Sequence, residues 1–115
     1  MSSVSVSSGT LTCDYTTAGV FYVASGPSSN FTVNVTNVPT DNNYAITISI
    51  IVNQGGTASY PSILQIGGSS QSIRWVNDTA PSVNASKIDI YNFTLIRISN
   101  AWVVLGSASN NYDTI

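Results

Sequence analysis

The residues able to do covalent or acid–base chemistry are few in this 115-residue chain. There is no histidine, there is a single cysteine, and all five acidic residues are aspartates. A Ser-His-Asp triad needs an imidazole to take the nucleophile's proton, so it is excluded. Cys13 has no neighbouring base to activate it. Ser86-Lys87 is formally a Ser–Lys dyad, but serine is so common here that chance explains the adjacency. Paired carboxylates for glycoside hydrolysis must flank a bond at roughly 5–9 Å. Asp14, Asp41, Asp78, Asp89 and Asp113 are scattered, with no spacing that suggests a pair. No enzymatic activity is expected.

Metal and nucleic-acid sites fare no better. One Cys and no His do not make a zinc site. Asn77-Asp78 and Asp41-Asn42 carry oxygen ligands that calcium accepts, yet Asx pairs of this kind are first of all turn residues. No cofactor or metal is expected. Lys87, Arg74 and Arg97 are the whole basic inventory, too little for the basic patch that nucleic acid requires. The two arginines fall within strand-like sequence and should pair with Asp78 or Asp89.

The aromatic residues offer a different chemistry. Exposed Trp and Tyr rings can stack on sugar faces, with Asn and Asp supplying hydrogen bonds. Tyr60, Trp75, Asn77 and Asp78 are the candidate ligand-binding set, and Tyr112 is a further candidate ring. Core packing is the competing role for Trp75 and for Trp102. Cys13 reads as a small core residue, with an exposed thiol or an intermolecular bridge as the alternatives. Five N-x-S/T sequences, at Asn30, Asn34, Asn77, Asn84 and Asn92, are coincidences of composition.

That composition points to β-structure. Charged residues make up 7% of the chain and the net charge is −2, against about 25% charged in an average globular domain. Ser, Thr and Asn must supply the surface polarity, as in extracellular or virion β-proteins. Helix-favouring Glu, Lys and Arg are nearly absent, while Val, Ile, Thr and Tyr favour strands. The first residues lack the basic and apolar blocks of a signal peptide. The longest aliphatic run, Ile50-Ile51-Val52, is too short to span a bilayer, so no membrane insertion is expected.

Along the chain, strands are expected at 10–14, 20–23, 30–36, 44–52, 63–66, 73–76, 88–98 and 101–105. Alternation is cleanest at 30–36 and 44–52, which should pair as an antiparallel hairpin across the turn at 38–43. A second hairpin is expected between 63–66 and 73–76 around Gly67-Gly68. A third, the strongest, is expected between 88–98 and 101–105 across Ser99-Asn100. Both faces of 88–98 are apolar, as in a central or interface strand. Loops 53–61 and 77–87 are where recognition would sit. The expected architecture is one all-β domain over 1–115, an antiparallel sandwich or barrel of jelly-roll or Greek-key type with seven to nine short strands. Residues 1–9 would form an N-terminal arm and 107–115 a C-terminal tail. Few charges guard the strand edges, which favours a homo-oligomer.

Several segments together resemble the C-terminal domains of bacteriophage virion proteins: IRW at 73–75, AP at 80–81, KIDIYNFTLIR at 87–97 and AWVVLGS at 101–107. FTVNVTNVP at 31–39 fits the same pattern. The similarity is greatest to tail-fibre and structural proteins of marine and cyanobacterial phages. The resemblance implies a non-enzymatic particle component located in the virion. It implies a multimer, with a trimer favoured, that contacts other virion proteins and, at a fibre tip, host-surface glycans. A full fibre has a long shaft before such a domain, so the resemblance implies either a fragment or a small stand-alone protein of the capsid or tail surface, with a capsid decoration or cement protein as the alternative role. A carbohydrate-binding module is the alternative from another class.

Overall fold

The computed structural model describes residues 1–115. Ten strands form two layers. They are β1 (Ser2–Ser3), β2 (Thr10–Asp14), β3 (Val20–Val23), β4 (Phe31–Thr36), β5 (Tyr44–Asn53), β6 (Pro61–Ile66), β7 (Ser69–Gln71), β8 (Ile73–Trp75), β9 (Ile88–Ile98) and β10 (Ala101–Tyr112). One sheet has six strands in the order β1-β3-β5-β9-β10-β8, and the other has four, β2-β4-β6-β7. The only helical turn is a 3-10 segment at Val76–Asp78, and no helix is long and apolar enough to cross a membrane.

The chain is all-β, as its composition dictates, but the pairing is not wholly antiparallel. From β1 to β6 each strand crosses to the opposite layer. Neighbours within a layer are therefore two strands apart in sequence and run parallel, as in β1–β3, β3–β5, β2–β4 and β4–β6. With β8–β10 there are five parallel pairs against three antiparallel ones. The expected β4–β5 hairpin is accordingly corrected: its two strands lie in different sheets. Seven residues separate them, more than the two to five of most hairpins and enough to span the ~10 Å between packed layers.

The two-residue links behave differently. Ser99 and Asn100 both have positive φ (50° and 62°), the left-handed pair that a tight hairpin turn requires. This turn joins β9 to β10 with Ala101 opposite Ile98. Gly67 and Gly68 do the same between β6 and β7. Here the expected partner is corrected from 73–76 to Ser69–Gln71. After Ser72 the strand changes layer, and β8 joins the six-stranded sheet beside β10, a corner of the kind sandwiches use. The expected tail at 107–115 is likewise mostly strand, since β10 continues to Tyr112. At the other end, Ser2–Ser3 forms a short edge strand against β3.

The core lies between the layers. Leu11 and Cys13 on β2, Phe21 and Val23 on β3, and Phe31, Val33 and Val35 on β4 point inward. They meet Ile46, Ile48, Ile50 and Val52 on β5, with Tyr91, Phe93 and Leu95 on β9. Each set follows the period-2 alternation that a strand imposes. Asn, Asp and Ser occupy every positive-φ position not held by glycine. That is one reason a chain with eight glycines needs so many Asn residues.

Cys13 is fully buried and unbonded. Burial pushes its thiol up from 9.0 to about 12, because the thiolate loses its hydration there. The unfolded chain therefore releases this proton first as pH rises. Stability from this group is constant below pH 9 and falls above it, by up to ~1.4 kcal/mol per pH unit until the folded value is reached. Denaturant unfolding between pH 7 and 10 should show the fall begin near pH 9 and flatten in Cys13→Ala. A disulfide reagent should react with the native protein only as fast as it unfolds.

Candidate functional site

Of the four candidate ligand-binding residues, the structure brings three into one neighbourhood. Trp75 ends β8 on the inward face, in register with Gly106 of β10. Its ring stands 5.5 Å from that of Phe93 and 6.2 Å from that of Tyr60, edge to face in the latter case. A Cβ built on Gly106 would lie 2.7 Å from the indole, so the ring lies against bare backbone there. Trp75 thus closes one open margin of the sandwich, as a core residue with one side left in solvent.

That side borders a cleft of about 320 Å³ lined by Trp75, Val76, Asn77, Thr79, Pro81, Ser107, Ala108 and Asn110. Asn77 sits in the left-handed conformation (φ 56°) that Asn tolerates, and its carbonyl accepts a bond from Thr79 Oγ1 at 3.0 Å. Asp78 is also left-handed (φ 53°) and exposed, outside the cleft lining. Tyr60 supports Trp75 from behind rather than lining the cleft. Tyr112 lies on the opposite face of β10, half-exposed.

The most concentrated chemistry in the fold lies elsewhere, around Asp89. This carboxylate is completely buried. Its Oδ1 accepts from Asn84 Nδ2 at 2.9 Å and from the Asn111 amide at 2.8 Å. Its Oδ2 accepts from the Asn84 amide and from Gln54 Nε2, both at 3.0 Å. Gln54, buried too, also donates to the Ser59 carbonyl at 2.7 Å and accepts from the Ser59 amide at 3.2 Å. Tyr91 Oη lies 3.1 Å from the Ser59 carbonyl and 3.4 Å from Asp89 Oδ2, within donating distance of both. Burial, then the charge and hydrogen bond of Asp89, push the Tyr91 phenol well above its ordinary value.

Each buried side-chain polar atom in this cluster has a protein partner, which makes it a knot that ties the fold together. It ties loops 53–61 and 77–87 and the far end of β10 to β9. The sequence carried a signal for it. Asp89 shares the register of Tyr91, Phe93 and Leu95, and Gln54 continues that of Ile46 to Val52. Two inward registers thus become polar at the same end of the sheet, and Val52 is directly opposite Asp89.

The arginines do not pair as expected. Asp89 is fully engaged by amides, and Arg97 instead stacks over Trp102, its guanidinium carbon 5.1 Å from the ring centroid, a cation–π contact. Arg74 is exposed on the edge strand. The one salt bridge joins Lys87 to Asp113 at 2.9 Å, at the surface, and holds the Asp113 carboxyl below its ordinary value. Asp14 is lowered as well, by bonds from Asn37 and Thr16 that brace a turn. Asn42 and Asn100 exchange two hydrogen bonds, so the Asp41-Asn42 pair serves a turn contact. No three Cys or Asp side chains gather in a group that could hold a metal ion. Four of the five sequon asparagines are used internally: Asn30 and Asn34 accept backbone amides, Asn84 binds Asp89, and Asn92 accepts from Ser49. No protein-family model, no curated protein and no solved structure matches the chain.

Proposed function

We propose that the chain is a non-enzymatic structural module of a bacteriophage particle, present at a fibre tip or on the particle surface as a homo-oligomer. Three copies is the arrangement a fibre tip would take. The observation that carries this reading is a placement. The segments with the strongest resemblance to virion proteins, 73–75, 87–97 and 101–107, are β8, β9 and β10, three adjacent strands of one sheet. What is shared is a piece of architecture, and the buried carboxylate it contains is consumed by internal hydrogen bonds. Electron microscopy of purified particles carrying a tagged chain tests the reading. Density at fibre ends or on the shell supports it and separates tip from decoration protein, whereas absence of the chain from particles overturns it.

Contact with host glycans is the second reading, and the cleft beside Trp75 favours it. An aromatic edge, Asn77 and Asn110 border a groove between loop 77–87 and β10. Asn77→Gly removes the amide while accepting the positive φ. Adsorption to host cells, or binding to an immobilised glycan panel, should fall several-fold in that variant. Unchanged binding removes the cleft as the contact.

A further inference from the structure

The two layers show unlike faces to solvent. On the four-stranded sheet the outward residues are Thr10 and Thr12, Thr32, Asn34 and Thr36, then Ile63 and Gln65. That is the polar surface a solvated sheet normally carries. On the six-stranded sheet two apolar rows cross the outer face. One runs Tyr22–Ile51–Ile90 over β3, β5 and β9, and the other Ala45–Ile96–Val103 over β5, β9 and β10. Beside them Val20 is 37% exposed and Leu105 42% exposed. Between the rows lie uncharged hydrogen-bonding residues, where Ser49 Oγ donates to Asn92 Oδ1 at 2.7 Å. Arg74, at the rim, is the one charge in register with this face.

We propose that a second copy of the same chain covers this outer face. The size fits. Strands β3, β5, β9 and β10, with 4, 10, 11 and 12 residues, lie ~4.8 Å apart and rise ~3.3 Å per residue, so together they present roughly 600 Å² of flat sheet. Two such faces bury roughly 1,200 Å², the lower bound for a stable specific interface. The charge fits as well. A face whose one charge, Arg74, lies at the rim brings little like-charge repulsion when it meets itself and offers no charge pattern to select a different protein. Packing sheet on sheet also repeats the arrangement of this molecule's own interior, and an isologous contact needs only a patch complementary to itself. Two apolar rows on one layer, beside a polar surface on the other, mark the covered side. The inference rests on the homo-oligomeric part of the reading above and not on three copies, since an isologous contact pairs two chains, and it is independent of where the oligomer resides.

Light scattering coupled to size exclusion, on the full chain over a micromolar to submillimolar range, tests it. The wild type should show a mass at least twice that of the monomer. Ile90→Asp and Ile96→Asp place a charge in each apolar row without touching the core and should weaken association at least tenfold, with circular dichroism and thermal unfolding checking the fold. Thr47→Lys and Ser107→Lys, on the same face at polar positions, serve if the aspartate variants fail to fold. A wild type that stays monomeric overturns the proposal. So does an oligomer of unchanged mass in folded variants, and that result leaves the multimer and virion readings standing while removing this face.

Discussion

Asp89→Ala should lower the free energy of unfolding by about 3–5 kcal/mol, the expected cost of breaking a buried charged network from one side. The substitution strands the Asn84 and Asn111 amides, Asn84 Nδ2 and one proton of Gln54, all of which now end on the carboxylate. Asp89→Asn keeps the shape but turns an NH₂ toward two of these donors, so it should lose about 2 kcal/mol or more. Small domains have only about 5–15 kcal/mol in hand, so the alanine variant should be partly unfolded at 37 °C. Urea denaturation gives the number. Native-state hydrogen exchange should show loops 53–61 and 77–87 losing protection first, because Asp89 and Gln54 are what hold them. An alanine variant within about 1 kcal/mol of wild type would show that the knot is dispensable.

That prediction also separates what was legible in the sequence from what was not. Period-2 alternation identified the strands at 30–36 and 44–52 and their buried faces, because a strand fixes side-chain direction without reference to its partner; at 88–98 both faces are apolar and the sequence left the buried one open. Partner choice is another matter. Residues 31–36 and 44–53 alternate equally well whether they pair with each other or face each other across the core. Only the length of the link at 37–43 argues for a crossing. The hairpin at Ser99-Asn100 was legible because a two-residue link of left-handed-tolerant types leaves a single solution. The jump of the chain at Ser72 from one sheet to the other has no sequence mark of comparable strength.

The polar residues were harder to place for a related reason. In a chain this poor in charge, Asp89 looked like the natural partner for an arginine. Buried carboxylates are satisfied by whatever donors the fold delivers, however, and here backbone amides and carboxamides arrive first. Arg97 is left to stack on Trp102. The abundance of Asn, read from sequence as generic surface polarity, is in large part the supply of side-chain acceptors and left-handed turn residues that the crossings require.

The second large effect concerns Trp75, which packs on Phe93 and also borders the cleft. Trp75→Ala should cost about 3 kcal/mol, the lower end for a truncated buried aromatic, since the ring packs on Phe93 and Tyr60 yet keeps one side in solvent. Gly106→Ala should cost about 1–3 kcal/mol on its own by overpacking. Its new methyl would meet the indole at 2.7–2.8 Å and Ile73 Cγ2 at 2.9 Å. In the Trp75→Ala background that methyl enters space the indole has vacated. Gly→Ala also restricts the unfolded chain, which favours folding by roughly 0.4–1 kcal/mol where the backbone tolerates alanine. The glycine substitution should therefore be at least about 1 kcal/mol less costly in the double variant than alone, a coupling of the size neighbouring residues show. Denaturant unfolding of the four proteins in this cycle measures it. Equal costs in both backgrounds would mean that the indole does not rest on Gly106. The coupling also governs how adsorption experiments are interpreted. A Trp75→Ala variant that fails to bind host cells has first lost the closure of the sandwich, and only a loss shared by Asn77→Gly, which leaves that closure intact, points to the cleft as a surface for glycan.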